Sequence, residues 1–244
     1  MSPIRHVFLD DGGVINDNRL RAPQWRPLVG AFFVPRLGGT VEAWADANTR
    51  TYQQVFQRQQ ARLAVWQPGR SYLDELRLTD IDWLESMCRD LGIETPPEDE
   101  CAALAREAQN WIMSQVVAGV PGVADIVRLL STQYALYTAS GGASYELELY
   151  MQTLGLEGVF LRLYGADLVN MPKLSAEYYR RVFQDAGVDP SMSVVVDDHA
   201  ETLAWAREVG AFTVLISLDG SQAEVDLVLP RLAELPEALH KRFN

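Results

Sequence analysis

The feature that most constrains the fold is a regular alternation of short apolar segments with helical segments, which begins near residue 120. The apolar segments are rich in β-branched and aromatic residues, which predicts strands. The predicted strands are Tyr134–Thr138, Phe160–Tyr164, Ser193–Asp197, Phe212–Ile216 and Asp226–Leu229, and the helices are Gly122–Leu130, Ser144–Leu154, Ala176–Ala186 and Ala200–Val209. Near-continuous apolar strands separated by helices indicate a parallel sheet covered on both faces.

The first strand lies far from the others in sequence. Residues Arg5–Leu9 form an apolar run that belongs to the same sheet, whereas the segment after Asp17 contains only helical periodicity. Helices are predicted over Thr40–Val65 and Arg70–Leu91, and a third starts at a capping box, Thr95-Pro96-Pro97-Glu98. We therefore predict an α/β fold with a Rossmann-like parallel sheet formed by residues 1–16 and 119–244, and an inserted all-helical cap domain formed by residues 17–118.

Composition limits the partners of the chain. With 21 basic and 33 acidic residues the formal charge is −12, which disfavours binding to nucleic acid or to an anionic membrane. No apolar run approaches the length of about 20 residues that a membrane helix needs, and no secretion signal is visible. We expect a cytoplasmic protein with reduced Cys88 and Cys101, a small-molecule substrate and a tryptophan-rich insert that permits a homodimer without requiring one.

Four short segments that carry reactive side chains occupy corresponding places, each at or just beyond the end of a predicted strand. They are Asp10-Asp11-Gly12-Gly13-Val14-Ile15, then Thr138-Ala139-Ser140, then Lys173, and last Asp197-Asp198. Because the carboxyl ends of parallel strands meet at one edge, we expect the four segments to converge there. Each has a simpler interpretation when taken alone: an Asp-Gly turn, a helix cap or a surface lysine.

The residue types in these segments suit phosphoryl transfer. A carboxylate can attack phosphorus, a hydroxyl and backbone N–H groups can hold phosphoryl oxygens, and a lysine can balance their charge. Several carboxylates at one site need a hard cation such as Mg²⁺, since like charges otherwise raise one another's pKa.

The order Asp, Thr, Lys, Asp-Asp on these strands resembles the haloacid dehalogenase superfamily of hydrolases, and the resemblance covers essentially the whole chain. It implies that Asp10 is the nucleophile and that Thr138, with Ala139 and Ser140, binds the substrate phosphate together with the third-motif residue Lys173. It also implies a Mg²⁺ ion bound by Asp10, the carbonyl of Gly12, Asp198 and Asp197. The predicted function is hydrolysis of a small phosphorylated metabolite through an aspartyl phosphate.

One residue departs from the pattern of that superfamily. Its phosphatases usually have a second Asp two residues beyond the nucleophile as general acid and base, and here the residue is Gly12. We therefore expect a preference for good leaving groups such as acyl or anomeric sugar phosphates, unless Asp17, His199, a water or the substrate itself supplies the proton. Two alternatives stay open: a metal-independent 2-haloacid dehalogenase, and a weakly active or non-catalytic member that binds a ligand.

Residues of the insert are expected to choose the substrate. Arg21, Arg26, Arg36 and Arg50 are candidates to recognise a substrate anion, and the alternative for each is a solvated helix face.

Overall fold

The structure is a computed structural model that describes residues 3–67, 69–217 and 224–243. The chain divides into two compact units. One comprises Met1–Asn18 and Ala118–Asn244, and the other comprises Arg19–Val117.

The first unit contains a parallel sheet of six strands within the described residues, in the order β3-β2-β1-β4-β5-β6. The strands are β1 (His6–Leu9), β2 (Ala135–Ala139), β3 (Arg162–Tyr164), β4 (Ser193–Asp197), β5 (Phe212–Ile216) and β6 (Leu227–Leu229). The N-terminal strand β1 lies at the centre of the sheet, and its residues Val7, Phe8 and Leu9 are fully buried. The prediction of a parallel α/β sheet is confirmed.

Helices α1 to α4 form the inserted segment, and the described part of the sheet unit contains five further helices. The inserted helices are α1 (Asn18–Leu37), α2 (Val41–Ala64), α3 (Tyr72–Leu91) and α4 (Glu98–Met113), and those of the sheet unit are α5 (Val123–Ser131), α6 (Ser144–Thr153), α7 (Ala176–Ala186), α8 (Ala200–Glu208) and α9 (Leu235–Phe243). In the ranges that the structure describes, no helix combines the length and apolarity needed to cross a bilayer.

Helix α1 was not among the helices predicted individually. It contains Pro23, Pro27 and Pro35, and an interior proline costs a helix about 3 kcal/mol. Burial of Val29, Phe32 and Phe33 offsets that cost, because apolar side chains that leave water stabilise a helix more than its propensity does.

The predicted capping box at the start of α4 is wrong. Helix α4 begins at Glu98 after Pro97, which makes no side-chain capping hydrogen bond. The first helical bond instead runs from the Cys101 N–H to the Pro97 carbonyl at 2.8 Å. Consecutive prolines restrict the backbone before the helix, so the chain turns helical three residues later than Thr95.

Candidate active site

The register of three central strands brings reactive residues to one level of the sheet. Leu9 of β1 pairs with Thr138 of β2 on one side and with Val196 of β4 on the other. The next residues, Asp10, Ala139 and Asp197, are therefore level with one another. Side chains at one level of a parallel sheet point to the same face, so the carboxylates of Asp10 and Asp197 lie together.

Lys173 joins these three residues. Its Nζ donates hydrogen bonds to Asp10 Oδ1 at 2.9 Å, to the Ala139 carbonyl at 2.6 Å and to Asp197 Oδ2 at 2.6 Å. The side chains of Lys173, Asp10 and Asp197 are 7%, 13% and 1% exposed. The first and fourth sequence segments thus share one buried ammonium.

The shared ammonium neutralises only one of the two carboxylates. Burial raises the pKa of Asp10, and Lys173 only partly offsets this. For Asp197, burial acts in the same direction, but Lys173 and His199 outweigh it and hold the pKa below its ordinary value. Burial alone would lower the pKa of Lys173, whereas its carboxylate partners keep it well above the ordinary range. The site therefore lacks positive charge relative to its acids.

Asp198 lies against the loop that follows Asp10. A Cβ atom added to Gly13 would lie 2.1 Å from Asp198 Oδ2, and Gly13 has a φ of +81°, so only glycine fits this position. The other oxygen, Oδ1, is 2.6 Å from His199 Nδ1. Hydrogen bonds to Asp197 and Asp198 raise the pKa of His199 to about 10, so the imidazole carries a positive charge at neutral pH.

The acidic residues fit a hard divalent cation. Asp197, Asp198 and His199 each offer a ligand atom within 4.8 Å of the others, and Asp10 shares Lys173 with Asp197. Carboxylate and carbonyl oxygens suit Mg²⁺. The expected set of Asp10, the Gly12 carbonyl, Asp197 and Asp198 therefore fits the ion in chemistry.

Thr138 and Ser140 take other partners than the sequence suggested. The Thr138 hydroxyl is fully buried and donates to the Tyr164 carbonyl at 3.2 Å. Side chains alternate between the two faces along a strand. Because Thr138 is level with Leu9 and not with Asp10, its side chain points to the face of the sheet opposite to that of Asp10. The Ser140 N–H donates to the same carbonyl at 3.0 Å instead of pointing at a phosphate, which corrects the expectation for that amide.

The start of helix α6 is also occupied by protein acceptors. The N–H of Ser144 donates to Asp167 Oδ1 at 2.7 Å, and the Ser144 hydroxyl donates to Asp167 Oδ2 at 2.6 Å. The Ala143 N–H donates to Glu146, and the Gly142 N–H to the Ser140 hydroxyl. These bonds fix the loop that follows Ala139, and they use donors that an anion would otherwise take.

The loop after Asp10 is held by a buried polar pair. Asn16 Nδ2 donates to Asp11 Oδ1 at 2.7 Å, and both side chains are at most 5% exposed. The N–H groups of Ile15 and Asn16 donate to the Asp11 carbonyl at 3.0 and 2.8 Å. Asp11 therefore stabilises the turn and does not replace the acid that is missing at Gly12.

Three of the four arginines that the sequence marked as candidates for anion binding have carboxylate partners within the insert. Arg26 pairs with Asp46, Arg36 with Glu107 and Arg50 with Asp90. Such exposed pairs contribute little stability, but they place a negative charge beside each guanidinium. We therefore assign no role in anion binding to Arg26, Arg36 or Arg50.

Sequence reasoning missed Tyr178 and Tyr179, which follow Lys173 on helix α7. Both are fully buried, and the Tyr178 hydroxyl donates to the Ser140 carbonyl at 2.9 Å. Burial raises the pKa of Tyr179, which lies in the electrostatic field of Lys173. The sequence did offer a signal for these residues, because two adjacent tyrosines stand near the start of the helix that follows the lysine.

The fold and the site together are those of an α/β protein with a carboxylate at the end of the central strand, a buried lysine beside it and an acid pair at the end of the next strand. The family model of haloacid dehalogenase-like hydrolases matches residues 4–210, so the chain belongs to that family of hydrolases. Comparison with curated proteins found no match.

Solved structures share the fold over nearly the full length of both chains. The L-2-haloacid dehalogenase PA0810 has a TM-score of 0.71 at 20% identity, with 98% of this chain and 99% of that one covered. YfnB of Bacillus subtilis, described as a putative HAD hydrolase and bound to magnesium, has a TM-score of 0.69 at 16% identity, with 98% of this chain and 99% of that one covered. L-2-haloacid dehalogenase from Xanthobacter autotrophicus, with chloropropionic acid covalently bound, gives 0.65 at 17% identity with the same coverage. At these identities the similarity concerns the fold.

Proposed function

We propose that the chain hydrolyses phosphate esters or anhydrides of small metabolites, with Asp10 as the nucleophile and a divalent cation at the acid pair. The observation that carries this proposal is that Asp10 and Asp197 share a single buried lysine, while Asp198 offers a further carboxylate oxygen within 4.8 Å of a ligand atom of Asp197. Three carboxylates at one sheet edge repel an anionic substrate unless more positive charge is added.

In the first step an Asp10 carboxylate oxygen bonds to phosphorus while the bond from phosphorus to the leaving oxygen breaks, and that oxygen keeps the electron pair. Lys173 holds the attacking carboxylate in place through its bond to Asp10 Oδ1. Water then attacks phosphorus, the bond to Asp10 breaks, and inorganic phosphate leaves.

The positive charges of the site serve this chemistry in two places. Lys173 stays protonated and favours the ionised form of Asp10, against burial, which raises the pKa of that carboxyl group. A bound divalent cation supplies further charge stabilisation for the phosphoryl oxygens and for the acids. Asp197 holds Lys173 from the far side at 2.6 Å and so fixes its direction.

An activity panel tests the proposal. We expect the wild-type protein to hydrolyse acetyl phosphate or p-nitrophenyl phosphate with Mg²⁺ and to lose that activity in EDTA. Asp10→Asn removes the nucleophile and should abolish turnover, whereas Asp198→Asn should raise the Mg²⁺ concentration needed for half-maximal rate. Asp125→Asn, at an exposed residue of helix α5, is the matched control and should change neither the turnover rate nor the Mg²⁺ concentration needed for half-maximal rate. Full activity of Asp10→Asn would contradict the proposal.

A second candidate function, hydrolysis of 2-haloacids, is favoured by two observations. The solved structures named above include L-2-haloacid dehalogenases, and position 12 lacks the second acid that phosphatases of the superfamily usually have. In that reaction an Asp10 oxygen bonds to carbon as the carbon–halogen bond breaks, and halide leaves with the electron pair.

Halide release from 2-chloropropionate in EDTA decides between the two functions. Metal-independent release by the wild type that disappears in Asp10→Asn, together with no phosphatase activity, would support the second candidate and contradict the first. A single turnover in H₂¹⁸O would then place ¹⁸O in the Asp10 carboxylate, because water attacks the acyl carbon of an alkyl ester.

A further inference from the structure

The carboxamide of Asn18 lies where a side chain at position 12 would begin. A Cβ atom added to Gly12 would be 2.8 Å from Asn18 Nδ2, 3.1 Å from Oδ1 and 3.4 Å from Cγ. Gly12 has no positive φ, so its backbone would accept a side chain, and the three nearest atoms that its Cβ would meet all belong to the amide of Asn18. Asn18 itself is solvent-exposed and therefore accessible to a small molecule.

The turn after β1 brings Asn18 to this place. Gly13 N–H donates to the Asn16 carbonyl at 2.7 Å, and Asn16 forms isolated bridges with Gly12 and Gly119. The chain thus folds back on itself, and helix α1 begins at Asn18 beside Gly12.

The loop at Gly12 adjoins two acids of the site. Gly12 follows Asp10 by two residues in the turn after β1, and a Cβ atom on the next residue, Gly13, would lie 2.1 Å from Asp198 Oδ2. Asp11, between Asp10 and Gly12, is buried and bonded to Asn16. The Asn18 amide therefore occupies the space of a side chain at position 12, in the loop that connects Asp10 with the residue lying against Asp198.

Building on the proposed function, we propose that Asn18 determines which leaving groups the enzyme accepts. A carboxamide donates and accepts hydrogen bonds but does not titrate, so it can bind the leaving-group oxygen without protonating it. The leaving group must then depart as an anion, which restricts turnover to acyl phosphates and other phosphates with stable anionic leaving groups. Asn18→Asp would place a carboxyl group there that transfers its proton to the oxygen as the phosphorus–oxygen bond breaks.

The test compares leaving groups in Asn18 variants. General acid catalysis contributes about 10² to 10⁴ in rate, so we expect Asn18→Asp to raise kcat/KM for glycerol phosphate by at least about ten-fold. The rate with acetyl phosphate, which needs no proton, should not rise. The glycerol phosphate rate should also gain an alkaline limb in its pH profile, because the new carboxyl group must be protonated. Gln184→Glu makes the same kind of change at an exposed residue of α7 and should leave both substrates unaffected.

A second pair of variants tests whether the Asn18 amide occupies the space of a side chain at position 12. Gly12→Asp must displace the Asn18 amide, whereas Gly12→Asp combined with Asn18→Ala finds the space open. We expect the double variant to hydrolyse glycerol phosphate faster than Gly12→Asp alone, with thermal unfolding used to show that each variant is folded. Asn18→Ala alone should lower kcat/KM for acetyl phosphate by roughly three- to ten-fold, the effect of one lost hydrogen bond.

The outcomes separate this inference from the proposed function. If Asp10→Asn is inactive but Asn18→Asp leaves the preference for leaving groups unchanged and Gly12→Asp does not respond to Asn18→Ala, this inference alone is overturned. If the wild type hydrolyses no phosphate, or Asp10→Asn retains full activity, the proposed function fails and this inference fails with it.

Discussion

Lys173 lies between Asp10 and Asp197, and its ammonium is the only charge within hydrogen-bond distance of both carboxylates among the described residues. Breaking a buried ion pair by removal of one partner typically costs 3–5 kcal/mol because the remaining charge is left unpaired. Here two acids would lose the same partner. The stability of the protein and the reactivity of Asp10 therefore depend on one side chain.

Replacement of this lysine should destabilise the protein in a pH-dependent way. In Lys173→Met the folded-state pKa of Asp10, which burial already raises, rises further, and that of Asp197 rises above its unfolded value. Groups with a raised folded pKa contribute stability only below the unfolded pKa, about 4 for Asp, and lose it as pH rises through the folded pKa. We expect the loss of unfolding free energy relative to wild type to grow from pH 4 to pH 8 in EDTA, as measured by urea denaturation.

Lys241→Met is the matched control for that experiment. Lys241 pairs with Glu237 on the surface, and both side chains are 72% exposed. The control should change the unfolding free energy little at any pH. A Lys173→Met protein whose stability loss is the same at pH 4 and pH 8 would contradict the shared-ammonium interpretation.

At the residue scale the sequence indicated the acids and the lysine but not the side each residue faces. Asp10, Lys173 and Asp197 could be anticipated because they follow strands of one sheet. The orientation of Thr138 could not, because it depends on a register of one residue between β1 and β2 that no local pattern reveals. The contact of Asn18 with Gly12 depends likewise on how tightly the turn closes.

At the scale of elements, helix α1 is the clearest case in which packing prevails over propensity. Gly30 lies inside this helix, and a Cβ atom there would be 2.5 Å from both the Cα and the carbonyl oxygen of Val41. The glycine thus allows α1 to approach the start of α2 at backbone distance.

Gly30→Ala should therefore act against the usual trend. Alanine in place of an interior helical glycine normally stabilises by about 1 kcal/mol, but here the added methyl group meets backbone atoms and should destabilise by about 1–3 kcal/mol. Thermal unfolding measures the change, with Gln53→Ala on the exposed side of α2 as a control expected to be nearly neutral. A Gly30→Ala protein as stable as wild type would show that the two helices can separate at no cost.

The strands and most helices could be predicted because their apolar periods are strong, and their boundaries shifted by only a few residues. Helix α1 was obscured by its three prolines, and the short helix α9 by the absence of a long periodic pattern. The capping box at Thr95 failed because the sequence signal does not distinguish a capped helix start from an extended Pro-Pro segment.

At the scale of the whole molecule, the central strand β1 is separated in sequence from β2 by the helical insert, so the site forms only when distant parts of the chain pair correctly. Asp10 comes from the first ten residues, and Lys173 and Asp197 come from the last third of the chain. The formal charge of −12 makes a cluster of acids at one edge costly unless cations compensate it. A reaction that uses both a lysine and a divalent cation is consistent with that requirement.

The measurement that tests this account most directly is an acid quench of a single turnover with excess enzyme, Mg²⁺ and acetyl phosphate, followed by peptide mass spectrometry. The account predicts a phosphoryl group on the peptide that contains Asp10, and none on that peptide in Asp10→Asn. Turnover of the phosphate without any phosphoryl group on Asp10, or with the group on another residue, would contradict it.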